Sequence, residues 1–207
     1  YTVELLNFSK ERAEGKVLDK RQSIGEPKLS ITLYQGWLKG TKFEFVLQKG
    51  TEIGIASFVP IVCERSIGRE VRFLTQPRLT RWQRIIREAA EQSGRGRLPT
   101  LCPAIPMVEA VKQVSGFSLL CWEEERVRGL QTVLKNIKPV KGGYPAVNLF
   151  IGPEGGFSAE EVKLAQQCGI TIVGLGRRIL RAEAAGLVTA AIILYEFGEM
   201  GEGHPFF

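Results

Sequence analysis

AVNLFIGPEGGFSAEEVKLAQQCGITIVGLGRRILRAE, residues Ala146–Glu183, decides the fold. The apolar run from Ala146 to Ile151 stops abruptly at Gly152-Pro153-Glu154-Gly155-Gly156, which reads as a buried strand entering a tight loop. Ser158 and Glu161 have the spacing of a capping box, in which hydroxyl and carboxylate each satisfy a free amide at a helix start. Val162, Leu164 and Ala165 give that helix an apolar face, and Gly169 ends it with a positive φ. Ile170–Leu175 is a second strand, and Gly176-Arg177-Arg178-Ile179-Leu180-Arg181 is the loop after it. A strand-helix-strand crossover of this length implies a parallel pair. In a parallel sheet, ligands bind beyond the carboxyl ends of the strands. The two loops are therefore expected at one edge, where their glycines let backbone approach a ligand. The alternative is a pair of structural turns with no ligand.

Outward from this stretch the chain reads as α/β. Leu29, Ile31 and Leu33 alternate with polar residues, the period of a half-buried strand. Residues 39–54 read as a helix and 57–62 as a strand. Gln76–Gly94 places Leu79, Trp82, Ile85, Ile86 and Ala89 on one helical face and Arg78, Arg81, Arg84 and Arg87 on the other. A solvated helix face would look the same. Phe117–Trp122 is a strand ending in Glu123-Glu124-Glu125, followed by a helix to about Ile137. Ala184–Phe197 is apolar nearly all round, which predicts burial on most sides.

With 207 residues and 44% hydrophobic content, one domain plus a small appendage is expected. The 28 Lys+Arg against 22 Asp+Glu leave a charge of +6, compatible with a polyanionic partner or with solubility alone. Cys63, Cys102, Cys121 and Cys168 are scattered, and the one histidine is His204, so no metal site is expected. Buried free thiols in a reducing cytoplasm are the simpler reading. No run has the length of a membrane span, and no signal-peptide pattern opens the chain, which predicts a cytoplasmic protein.

The two loops together, GPEGGFSAEEV and LGRRILRAE, resemble the 16S rRNA (uracil-N3) methyltransferase family of the SPOUT class. KGTEIGIASFVPIVCERS and EAAEQSGRGRLP resemble further stretches of it, so the resemblance spans roughly Lys39 to Phe197. It implies an α/β fold: a SPOUT-type parallel sheet with helices on both faces and a C-terminal trefoil knot, preceded by a partial PUA-like β segment. On that reading residues 1–35 are the remnant of a PUA-like barrel, 36–200 the methyltransferase domain and 201–207 a tail. It also implies S-adenosyl-L-methionine as cofactor, 16S rRNA or the small ribosomal subunit as partner, and a homodimer. A related SPOUT enzyme acting on tRNA or another rRNA position, and a non-catalytic RNA-binding protein of the same fold, are the alternatives.

Carried onto this sequence, Ile151, Gly152, Pro153, Gly155, Gly156, Leu175, Gly176, Ile179 and Leu180 cradle the cofactor. Glu123 stands beside that pocket, or else simply opens a helix. Arg181 is the leading candidate to stabilise charge developing on uracil. Glu183 or Glu154 orients it or acts as base, which requires burial to raise the carboxyl pKa. An Arg181–Glu183 ion pair that only closes the loop is the alternative. Arg65, Gln92, Arg95 and Arg97 are the candidate RNA contacts, reaching across to the partner subunit's site. Ala184 stands where the family has Thr.

Overall fold

The computed structural model describes residues 1–21, 23, 25–66, 75–138 and 146–201. Two strands, β1 (Thr2–Phe8) and β2 (Ala13–Asp19), form an antiparallel hairpin that is exposed throughout. The strands run longer than their sequence signal, and the charged stretch between them shrinks to a turn in which Arg12 N–H donates to the Ser9 hydroxyl at 3.1 Å. The rest alternates strand and helix: β3 (Ile31–Gly36), α1 (Lys42–Ile53), β4 (Ser57–Val62), α2 (Gln76–Gln92), β5 (Thr100–Leu101), β6 (Ile105–Pro106), α3 (Met107–Gln113), β7 (Phe117–Cys121), α4 (Leu130–Leu134), β8 (Val147–Ile151), α5 (Ala159–Gln167), β9 (Thr171–Val173) and α6 (Ala182–Glu196).

The strands β3 to β9 make one parallel sheet, ordered β5-β4-β3-β8-β7-β9, with β6 also on β4. Because strand side chains alternate between faces, neighbouring rows separate cleanly. Leu33, Leu149 and Leu119 stand in register and face a core shared with α1, α2, α4 and α6. One residue on, Phe150, Leu120 and Ile172 face the opposite core, against α3 and α5. Tyr34, paired with Phe150 in register, stacks on its ring at 4.3 Å. Helices thus cover both faces, and every βα loop leaves from one edge.

Four expectations need correcting. The strands β8 and β9 run parallel in the same sheet but are not neighbours, because β7 pairs with both and separates them. The domain boundary at residue 35 falls inside β3, which pairs with β4 and β8; Ile31 and Leu33 are core residues of the parallel sheet, not the end of a barrel. After Glu125 only a five-residue helix forms, because the carboxylate of Glu125 accepts from the N–H groups of Val127 and Arg128 and caps a turn instead. Along α6, Val188, Ile192 and Tyr195 are exposed on one stripe despite the uniformly apolar sequence. Of the four free cysteines, Cys63 and Cys121 are buried, and burial pushes the Cys121 thiol up to about 12; Cys168 is exposed. The tail from residue 202 lies outside the described residues.

Candidate active site

A cavity of about 370 Å³ opens beyond the carboxyl ends of β7, β8 and β9. The first loop enters it directly from β8. Ile151, Gly152 and Pro153 line its wall. Gly156 N–H donates to the Pro153 carbonyl at 3.0 Å, closing a turn that puts Gly156 at φ +70°. A Cβ there would collide with the Glu123 carboxylate, so the glycine lets that carboxylate lie against the turn. Behind the loop, Gly36 at the end of β3 comes so close that a Cβ would overlap the Pro153 nitrogen. The buried Gln35 amide donates to the Gly152 carbonyl at 3.4 Å. The capping box then turns the chain into α5: Ser158 Oγ accepts from Glu161 N–H at 3.3 Å, and Glu161 Oε2 accepts from Ser158 N–H at 2.9 Å. Glu161 also accepts from Glu64 N–H at 2.8 Å, which ties this turn to the segment after β4.

The second loop comes from β9 to the same cavity. Leu175, Gly176, Ile179, Leu180, Arg181 and Glu183 line it, as does Glu123 from the loop after β7. The two turns therefore converge, as their parallel parent strands require. Arg181 is the N-cap residue of α6, with an 85% exposed side chain 4.0 Å from the Glu183 carboxylate. The Glu183 side chain is only 16% exposed, and its Oε2 has no hydrogen-bond partner among the described residues.

Lys42, in the first turn of α1, was not among the residues singled out from sequence. Its ammonium lies 3.2 Å from Glu154 Oε1 and 3.7 Å from Glu183 Oε2, so it joins the first loop to the start of α6. A signal existed: a lysine at a helix amino terminus opposes the helix dipole and points to a carboxylate brought in from elsewhere. Burial pushes the Glu154 carboxyl up, but hydrogen bonds from backbone N–H groups, Lys39 among them, and the Lys42 ammonium outweigh it and hold the carboxyl below its usual range. This is the reverse of the raised pKa that a base role for Glu154 requires. Its contacts make it an anchor for the loop.

The remaining candidates sit outside the cavity. Gly155 faces Arg65, whose guanidinium donates to the Gly155 carbonyl at 3.4 Å. Gln92 lines a separate groove between α1 and α2 with Phe45 and Ile85. Arg95 is not available to RNA: its side chain is 4% exposed, and its guanidinium pairs with Glu26 at 2.9 Å and donates to the carbonyls of Thr51 and Ile55. The side chain closes the core between α1 and the loop after α2. Arg97 is exposed, with its backbone N–H donating to Glu26 at 3.1 Å.

A parallel sheet with a glycine-lined, mixed-charge cavity beyond its strand ends defines an α/β protein of the cofactor-binding type. Residues 25–194 match the RNA methyltransferase domain model, and the chain belongs to that family. The ribosomal RNA small subunit methyltransferase E of Bacillus subtilis is 31% identical over 196 residues, covering 93% of this chain and 76% of that protein. The protein of the same name from Synechocystis is 36% identical over 182 residues, 86% of this chain and 57% of its own length. A crystal structure of that methyltransferase from Neisseria gonorrhoeae, bound to S-adenosyl methionine, superimposes with a TM-score of 0.82 at 32% identity, covering 96% of this chain and 79% of that one. The family resembled by the two loops is the family to which the chain belongs.

Proposed function

We propose that the protein transfers the methyl group of S-adenosylmethionine to N3 of a uridine in 16S ribosomal RNA of the small subunit. The observation that carries this reading is the convergence of the two loops on one cavity that also holds Arg181 and Glu183. The cavity suits the cofactor in kind. Ile151, Leu175 and Leu180 offer apolar surface for a flat ring, Gly156 lets the Glu123 carboxylate lie against the first loop, and the buried Trp122 indole N–H has no partner among the described residues. When bound, S-adenosylmethionine supplies an electrophilic methyl carbon.

The chain's own residues do the rest. Uracil N3 attacks only as its imide proton leaves, and negative charge then builds on the neighbouring carbonyl oxygens. Arg181, exposed at the amino terminus of α6, meets that charge with a guanidinium and with the positive end of the helix dipole. Glu183, whose sheltered Oε2 has no hydrogen-bond partner among the described residues and lies 3.7 Å from the Lys42 ammonium, takes the imide proton directly or through one water. Lys42 fixes Glu183 against Glu154 and so holds the reacting groups in line.

The same reading places the chain in the SPOUT class, with the second loop and α6 completing a trefoil knot. Packing of α6 on α1 and on the strands β3 and β8 is consistent with that. The exposed stripe Val188, Ile192 and Tyr195 is the surface we assign to a homodimer. The β1–β2 hairpin belongs to a PUA-like unit, separate from a methyltransferase domain that begins ahead of β3. Arg65 and Arg97 remain exposed enough to contact RNA.

The test is mass spectrometry of small ribosomal subunits incubated with the protein and S-adenosylmethionine. 3-Methyluridine is the expected product, and Arg181→Ala lowers its rate by about 10²-fold or more without loss of fold. Methylation at another base or on transfer RNA, or full activity in the variant, overturns the assignment.

A further inference from the structure

Resting on that methyl-transfer reading, we propose that the loop after β7 and the loop after β9 together form a platform for single-stranded RNA at the cavity mouth, through Arg126, Arg177, Arg178, Val127 and Ile179. The loops are stitched side by side. Gly174 N–H donates to the Arg128 carbonyl at 2.9 Å, Leu130 N–H donates to the Gly174 carbonyl at 3.2 Å, and Gly129 and Gly174 form a parallel bridge. A Cβ at Gly174 would overlap the Glu125 carbonyl, so the seam closes only with glycine. What projects from this seam is therefore held in place.

The projecting groups are of two kinds. Arg126, Arg177 and Arg178 line the cavity and are exposed. Among the described residues no carboxylate lies within ion-pair distance of their guanidiniums, whereas on α2 Arg81 pairs with Glu44 and Arg84 with Glu88. The basic helix face that stands out in the sequence is thus partly neutralised, whereas Arg126, Arg177 and Arg178 have no ion-pair partner among the described residues. Between them stand Val127, 95% exposed, and Ile179, 80% exposed. Aliphatic groups this bare contribute nothing to the core.

A cation row carrying bare apolar tips fits a polyanion that also offers apolar faces. Phosphates take the guanidiniums. The apolar tips require base faces that a duplex keeps stacked and hidden, so the partner is an unpaired strand. Ile179, between Arg178 and Arg181, is placed to pack on the nucleotide beside the target and to keep the target base turned into the cavity. These residues are apart from Arg65 and Arg97.

The test uses the full chain, a fluorescent single-stranded oligoribonucleotide containing uridine, and a duplex of the same sequence, with affinity followed against salt. Each phosphate contact on a single strand contributes about 0.7 to the slope of log K against log salt, so R126A/R177A/R178A flattens it by about 2. The triple Arg→Lys variant restores most of the slope. V127S/I179S weakens single-strand binding and leaves the slope alone. Calorimetric affinity for S-adenosylmethionine stays at the wild-type value in V127S, whose side chain does not line the cavity. An unchanged slope in the triple Ala variant, unchanged RNA affinity in V127S/I179S, or duplex binding as tight as single-strand binding overturns the platform. Failure of the methyl-transfer reading registers separately, as wild-type protein that binds no S-adenosylmethionine.

Discussion

Gly36→Ala tests whether the geometry of the first loop matters as argued. Gly36 ends β3 in regular register with Ile61, so backbone strain is not at issue; space is. An added Cβ would lie 2.3 Å from Pro153 N, 2.5 Å from Gly152 C and 2.7 Å from Pro153 Cδ. Backbone and ring atoms cannot swing aside as a side-chain tip does. Non-bonded carbons settle at about 3.5–4.0 Å, so the loop must retreat by about 1 Å. Overpacking of this kind costs about 1–3 kcal/mol. For a chain of this size a loss of about 2 kcal/mol lowers Tm by roughly 4–8 °C. The functional cost is larger, because a displacement of about 1 Å at a reacting centre costs on the order of 10²-fold in rate. Scanning fluorimetry reads the stability, calorimetric titration with S-adenosylmethionine the cofactor site, and the rate of 3-methyluridine formation the functional cost. Gly129→Ala is the control: its φ is −79° and a Cβ there meets nothing within 4 Å. If Gly36→Ala melts with the wild type and binds the cofactor equally well, the close approach of β3 to the loop does not position the site.

Lys42→Met removes the cation between Glu154 and Glu183. Stability falls by only about 0.5–1 kcal/mol for so exposed a pair, but the Glu154 carboxyl rises toward its ordinary range and kcat drops; an unaltered pH–rate profile would refute the bridging role. Ser158→Ala costs about 1 kcal/mol in urea denaturation. Glu161→Ala costs more, about 2–3 kcal/mol, because two backbone N–H groups lose a charged acceptor, one of them outside the helix. Burial raises the Glu26 carboxyl, but Arg95 and the N–H groups of Gly96 and Arg97 together overcome this and leave its pKa depressed. Its stabilisation is therefore complete above the unfolded value of about 4.3 and disappears as pH falls through the folded value. Glu26→Gln should flatten that acid limb of the stability curve, and an identical limb in the variant excludes the clamp.

What was legible in the sequence was what local chemistry dictates. The capping box at Ser158 and Glu161 is a four-residue pattern that satisfies itself, so it forms as read. The convergence of the two loops followed from strand direction alone, since parallel strands end at a common edge. Strand order was not legible. Nothing between Val147 and Val173 announces that β7, from earlier in the chain, lies between β8 and β9. The role of Arg95 was hidden for a similar reason. Its acceptors are Glu26, Thr51 and Ile55, far apart in sequence, and an arginine in a Gly-containing loop otherwise reads as a surface cation. Ile31 and Leu33 were read with the hairpin before them because their alternation fits a half-buried strand. Only the partners on both sides place them in the core.

The charges at the cavity are sorted by depth, and this sorting does more than the net charge of +6 to explain how two oppositely charged reactants share one site. Glu154 and Glu183, at 23% and 16% side-chain exposure, are the sheltered groups, and Lys42 is held between them. Arg181 stands out at 85%, with Arg177 and Arg178 exposed on the same loop. A cationic sulfonium is favoured by the inner carboxylates, where lower solvent access strengthens each interaction. On the proposed reading a polyanion is held at the rim, where water keeps exchange fast and salt sets the affinity. The two preferences meet at Arg181 and Glu183, two residues apart at the start of α6. On the proposed mechanism Arg181 meets the incoming strand and Glu183 the interior, and the helix amino terminus is where nucleophile and methyl donor would be brought into line.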